Sequence, residues 1–175
     1  MERAVFGAGC FWCTEAIFQK LNGVISVDPA YTGGHKDNPT YNEVCMGTTG
    51  HAEVIDITFD PDVITFGQLL EVFWKTHDPT TLNRQGNDIG TQYRSAIFYS
   101  NESQRSVAVL SKEKLDESGA WEQPIVTDIV KLGAIYPAEN YHHNYFNAHK
   151  SEAYCAMVIK PKLDKFEKAF KPLLH

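Results

Sequence analysis

The sequence predicts an α+β protein, a two-layer sandwich of helices on a mixed sheet. Three observations carry this expectation. Residues 52–59 alternate cleanly between apolar and polar positions, the period of a half-buried strand. Thr65-Phe66-Gly67-Gln68 resembles a capping box and opens a helical stripe of Leu69, Leu70, Phe73 and Trp74. Strand-like and helix-like segments follow one another in the order β-α-β-β-α-β-α-β-α.

Each element has its own justification. Residues 3–6 read as a short buried strand. A helix is expected over 11–21, with Ile17, Phe18 and Leu21 on one face, and Asn22-Gly23 stops it. Strand resumes over 24–27. Residues 30–50, rich in Gly, Thr, Asn and Pro, form a connection long enough to suggest a functional loop. In the strand 52–59, Glu53, Ile55, Ile57 and Phe59 share one face, and Val54, Asp56 and Thr58 the other. A second polar loop spans 77–92. Residues 95–99 read as strand, Asn101 caps a helix reaching about residue 117, and 125–130 is a further strand. Residues 136–149 are aromatic and His-rich. The last helix carries Leu163, Phe166 and Phe170.

No repeat, low-complexity tract or Pro/Ser-rich linker interrupts the chain, so residues 1–175 are expected to form a single domain with a substantial core. Hydrophobic residues at 43% and charged residues at 22% are ordinary for a soluble globular protein. A formal net charge of −6 disfavours nucleic acid or an anionic membrane as the main partner. Lys160, Lys162, Lys165, Lys168 and Lys171 cluster at a spacing that fits a solvated helix face. No apolar run reaches the ~20 residues that span a bilayer, and no signal-like segment opens the chain. A cytoplasmic protein, and a monomer, is expected. Four cysteines in a reducing compartment are more often catalytic, redox-active or buried than structural bridges.

The chemistry concentrates in Gly9-Cys10-Phe11-Trp12-Cys13-Thr14-Glu15. A thiol at the start of a helix lies among unpaired N–H groups that favour its ionised form. Phe11 and Trp12 offer an apolar wall for a small uncharged group. The Cys10/Cys13 pair leaves several readings open: a nucleophile with a secondary thiol, a thioredoxin-like dithiol, two ligands of a zinc site, or a purely structural pair. Zinc lacks a second pair at finger spacing, and Phe-Trp is a poor insert for a thioredoxin-type motif.

Further blocks occur in order along the chain: Tyr31-Thr32-Gly33-Gly34, Asn38-Pro39-Thr40-Tyr41, Glu43-Val44-Cys45, Thr49-Gly50-His51-Ala52-Glu53, and Arg84-Gln85-Gly86-Asn87-Asp88-Ile89-Gly90-Thr91-Gln92-Tyr93-Arg94-Ser95. Together with Gly9-Cys10-Phe11-Trp12 they resemble the A-type peptide methionine sulfoxide reductases over almost the whole chain. The resemblance implies a ferredoxin-like core with extended loops and a C-terminal tail. It also implies reduction of methionine-S-sulfoxide, free or in a protein, with no bound cofactor or metal, and with thioredoxin or dithiothreitol as external reductant.

In that resemblance Cys10 matches the nucleophile, which would be left as a sulfenic acid. Glu53 matches the general acid, and its apolar face-mates Ile55 and Ile57 favour a retained proton. Tyr41 and Tyr93 match two phenols that bind the sulfoxide oxygen. Asp88 matches an orienting carboxylate. Phe11 and Trp12 match the wall against the methyl group. His51 is expected either to brace Glu53 or to be a satisfied loop histidine. Cys155 matches the resolving cysteine, with Cys13 as an alternative or a relay, and Cys45 reads as a buried small hydrophobe. Cys13 stands where many relatives have Gly, and a Gly-rich tail with a further cysteine is replaced by Lys160-Pro161-Lys162-Leu163. A general thiol–disulfide oxidoreductase and a non-catalytic sensor of oxidised methionine are the competing functions.

Overall fold

The computed structural model describes residues 1–174. The elements, in chain order, are β1 (Glu2–Ala8), α1 (Phe11–Phe18), β2 (Val24–Thr32), α2 (Tyr41–Cys45), β3 (Ala52–Phe59), α3 (Phe66–Thr76), the two-residue strands β4 (Arg84–Gln85) and β5 (Asp88–Ile89), β6 (Ser95–Tyr99), α4 (Glu102–Ser118), β7 (Asp128–Lys131), β8 (Ile135–Pro137), α5 (Tyr145–Ala148) and α6 (Lys160–Ala169). Six strands form one sheet in the order β7-β6-β1-β3-β2-β8, while β4 and β5 make a separate hairpin. β1 runs antiparallel to β3 and β6, and β2 antiparallel to β3 and β8; only β6 and β7 are parallel. The inner four strands with α1 and α3 make the expected ferredoxin-like core, and the parallel edge makes the sheet mixed.

Alternation decides which face of β3 meets the helices. Ile55, Ile57 and Phe59 join Phe6, Phe18, Leu69 and Phe73 in the main core, whereas Ala52 and Val54 join Val5, Ala96 and Phe98 on the other face. Glu53 belongs by parity to the helix-covered face. Both ends of the helix-forming logic hold as well. Thr65 and Gln68 complete the capping box of α3, and Asn101 caps α4.

Several bounds differ from expectation. α1 stops at Phe18 because the next residues are claimed by the end of the chain: the Asn22 N–H donates to the Leu173 carbonyl at 2.8 Å, and Leu21 bridges Leu174. β2 extends to Thr32, since pairing with β3 continues through Tyr31↔Glu53 and Thr32↔Ala52 despite Pro29, whose carbonyl still accepts from Ala138. The loop over 30–50 contains α2. β7 starts three residues later than 125 because the Val126 N–H is drawn instead to the Pro79 carbonyl at 2.8 Å. Nearly every residue of α1 is buried, because the sheet covers one side while α5 and α6 pack on others. No described helix is long and apolar enough to cross a membrane.

Candidate active site

The turn between β1 and α1 is built around Gly9. Its φ of +91° lies in the left-handed region, and an added Cβ would stand 2.7 Å from Gln85. Cys10 follows at the N-cap of α1 without a side-chain cap bond. The Phe11 N–H of the first turn donates to Glu53 Oε1 at 3.1 Å. A donor expected to favour the thiolate is thus committed to a carboxyl group.

The surroundings of Cys10 disfavour its ionised form, contrary to expectation. Burial pushes the thiol well above its ordinary value, and the charges of Glu53 and Cys13 add to this. The Trp12 backbone N–H and the Tyr154 phenol act in the opposite direction without prevailing. Glu53 is 2% exposed, and burial, with a smaller contribution from Asp88, raises it to about 8. It retains a proton at neutral pH, as its strand setting suggests.

Tyr41 opens α2, behind a complete Thr40/Glu43 capping box. Its N–H donates to Glu139 Oε2 at 3.0 Å, and the Tyr31 phenol donates to Glu139 Oε1 at 3.0 Å. Tyr93 ends a 3₁₀ turn over Thr91–Tyr93, next to β6. Burial first, and the charge of Glu53 second, raise both phenols, which remain neutral donors. Cys10 and Asp88 act on Tyr93 as well. Cys10, Glu53, Tyr41, Tyr93 and Asp88 therefore share one electrostatic neighbourhood.

Phe11 packs on Tyr31 and Tyr41, with ring centroids 5.6 and 6.4 Å apart. Trp12 stacks on Tyr145 at 3.9 Å, and Tyr145 stacks on His149 at 4.0 Å. The Trp12 indole N–H donates to His142 Nδ1 at 2.9 Å. That bond assigns the His142 proton to Nε2, which is buried without a partner among the described residues. His142 also meets Tyr41 at 4.4 Å and Phe11 at 5.0 Å, so one imidazole ties together three rings of the cage. Burial lowers it, which keeps it neutral.

Asp88 accepts from the Tyr154 phenol at 2.7 Å. Cys155 follows Tyr154 at the start of a π-helical turn over Cys155–Ile159 and is fully buried. Burial raises Cys155 and Cys13 alike, with Lys162 opposing the shift at Cys13. All four cysteines are free thiols. The strap from α5 to Cys155 is fastened to α1 by Glu15, whose Oε1 accepts from the Asn144 N–H at 2.8 Å. Burial raises Glu15 to about 7.

A further expectation fails here. Cys45 is exposed rather than buried, because the short α2 turns only Val44 into the core. Of the two readings of His51, the satisfied loop histidine holds: its Nδ1 accepts from the Gly34 N–H at 3.0 Å and its Nε2 donates to the Lys36 carbonyl at 2.7 Å. It fixes the loop ahead of α2. Glu15, Glu139, His142, Tyr145 and Tyr154 escaped the sequence reading. The one signal for Glu139, His142 and Tyr145 was the aromatic, His-rich run over 136–149, and Tyr154 lies beyond it.

A thiol, a protonated carboxyl group and two neutral phenols beside an apolar cage suit attack on a soft electrophilic atom whose oxygen leaves as it is protonated. Among the described residues no group of three His, Cys, Asp or Glu side chains could hold a metal ion.

Comparison with known proteins agrees. A family model described as peptide methionine sulfoxide reductase matches residues 2–173. The chain is 52% identical over 170 residues to peptide methionine sulfoxide reductase MsrA of Saccharolobus solfataricus, covering 97% of this chain and 95% of that protein. It is 53% identical over 174 residues to MsrA of Sulfolobus acidocaldarius, covering 97% and 96%. Reduced Mxr1 of Saccharomyces cerevisiae superposes with a TM-score of 0.82 at 34% identity, covering 88% of each chain. Methionine sulfoxide reductase A of Corynebacterium diphtheriae gives 0.75 at 36%, covering 85% and 74%. Mxr1 in complex with Trx2 gives 0.58 at 23% identity, covering 82% and 84%, a likeness of fold. By the family match, the sequence identity and the shared architecture, this chain belongs to the peptide methionine sulfoxide reductases.

Proposed function

We propose that Cys10 attacks the sulfur of methionine-S-sulfoxide while Glu53 protonates the departing oxygen. The observation that carries this reading is the Phe11 N–H to Glu53 bond, which ties the carboxyl group to the residue next to the thiol. Burial, with Asp88 adding to it, favours the protonated form of Glu53, and burial and Glu53 favour the protonated form of Cys10, so the pair keeps its protons until a substrate oxygen is present to take one. Sulfoxide and thiol give methionine and a Cys10 sulfenic acid. Tyr41 and Tyr93 donate to the sulfoxide oxygen, Phe11 and Trp12 enclose the methyl group, and Asp88 orients the site.

Cys155 then attacks the sulfenic sulfur, releasing water and leaving a Cys10–Cys155 disulfide, with Cys13 as relay. A disulfide requires Cα atoms about 4.4–6.8 Å apart, so the strap carrying Tyr154 loosens in this step. An external dithiol reduces the bond by exchange, and no cofactor takes part. Thioredoxin is the proposed reductant, by analogy with the yeast protein's complex with Trx2. Residues 1–175 act as one catalytic domain, as a monomer, in the cytoplasm, where the cysteine usage fits a reducing environment. Protein-bound and free methionine sulfoxide are both substrates.

The test supplies the two sulfoxide epimers separately with dithiothreitol. Turnover of the S-epimer by the native protein and none by Cys10→Ser is expected. Undiminished turnover by Cys10→Ser removes Cys10 from the mechanism.

A further inference from the structure

A cavity of about 360 Å³ lies between α3, the turn before β5 and α6, and none of the residues assigned to catalysis lines it. That size is typical of a ligand pocket. Its floor is aromatic, formed by Trp121, Phe166 and Phe170. Lys162 and Lys165 line it as well, one helical turn apart and exposed.

Their ammonium groups are uncommitted. Lys36, Lys75 and Lys160 each have a carboxylate partner, whereas Lys162 and Lys165 have none among the described residues. The indoles of Trp12 and Trp74 donate to protein acceptors, and that of Trp121 has no acceptor among the described residues. The other polar groups of the wall are occupied. Gln85 bonds to the backbone of Asp78, and the Asp78 carboxylate accepts from Thr80. What remains free in the lining is three donors, two of them cationic, beside aromatic rings. An acceptor-rich anion carrying an apolar body complements that set.

We propose that this groove binds a short acidic segment of a partner polypeptide in extended conformation. Lysines at i and i+3 of a helix have Cβ atoms about 5–6 Å apart. Acidic side chains at alternate positions of an extended chain lie about 6.6 Å apart on one face, and the next residue on that face reaches the aromatic floor. The groove also abuts the reactive turn. Gln85, in its wall, packs against Gly9, and Lys162 acts electrostatically on Cys13. A segment bound there touches the structure that carries Cys10 without entering the cage.

The probe is the methionine-free peptide acetyl-Glu-Ser-Asp-Ser-Phe-amide, followed by ¹⁵N NMR at the indole N–H of Trp121, identified with Trp121→Phe. Sub-millimolar binding that shifts Trp121 and α6 is expected. The Lys162→Gln/Lys165→Gln variant, altered only at exposed positions, and the Gln-Ser-Asn-Ser-Phe analogue should each bind at least ~10-fold more weakly. No shift, an unchanged affinity in the double variant, or the same shifts at the same concentration of inorganic phosphate would each overturn the proposal, the last by reducing the site to a simple anion site. Catalysis is not read in any arm, so the outcome is independent of the roles assigned to Cys10 and Glu53.

Discussion

The backbone N–H of Phe11 and the carboxyl group of Glu53 are hydrogen-bonded across 42 positions of sequence at 3.1 Å. The bond fastens the first turn of α1 to the start of β3. It holds the buried carboxyl group of Glu53 against the residue that follows Cys10, which leads to the first prediction.

Glu53 rises from 4.5 to about 8 on folding. A general acid must be protonated, so the rate of the first chemical step should fall as pH climbs through about 8. Glu53→Gln should slow that step by ~10²–10³-fold and abolish this descending limb. Single-turnover release of methionine against pH measures both; a native-like profile in the variant would exclude Glu53 as the acid.

The same shift has a cost in stability. A carboxyl group whose folded value is raised binds a proton that the unfolded chain releases, so stability declines as pH rises from about 4.5 to about 8. Glu53→Gln should therefore be more stable than the native protein at pH 7, on the order of 3 kcal/mol at most. At low pH, where both forms are neutral, the difference should vanish. Urea denaturation at two pH values checks this.

Trp12→Phe removes the indole donor to His142 and part of the stack on Tyr145. His142 would then be buried with neither ring nitrogen partnered, a loss of about 1–3 kcal/mol. KM for a methionine sulfoxide peptide should rise about 10-fold, with kcat changed less. A larger effect on kcat than on KM would assign Trp12 a role in the chemical step instead of in binding.

Tyr154→Phe cuts the tether to Asp88 and removes a hydroxyl that favours the Cys10 thiolate. The first step should slow ~2–10-fold, while formation of the Cys10–Cys155 bond should accelerate. Rapid-quench measurement of methionine release against thiol loss separates the two. Equal slowing of both steps would mean that the tether does not restrain Cys155.

In Cys155→Ser, one equivalent of substrate should leave a dimedone-reactive sulfenic acid at Cys10. A Cys10–Cys13 disulfide in its place would make Cys13 the first resolver.

Local signals carried much of this structure. Strand alternation gave the facing of Glu53, the Thr65/Gln68 box and Asn101 marked two helix starts, and the ordered blocks named the residues gathered around Cys10. What stayed hidden depends on partners distant in sequence. Glu139 is recognisable only once Tyr31 and Tyr41 stand on either side of it, His142 only once Trp12 points at it, and Glu15 only once Asn144 arrives. The ionisation of Cys10 was misjudged for the same reason. A helix start implies free donors, yet one of them is taken by a carboxyl group far along the chain, and burial outweighs the rest.

The π-helical turn at Cys155–Ile159 holds one residue more than an α-helix of equal rise would need. Deleting a single residue there, Ala156 for instance, would let the coil tighten to an α-turn of the same rise, and the segments on either side would keep nearly their present orientation. The extra residue is absorbed within one turn, so the facing of Cys155 is set by that turn and not by the length of α6.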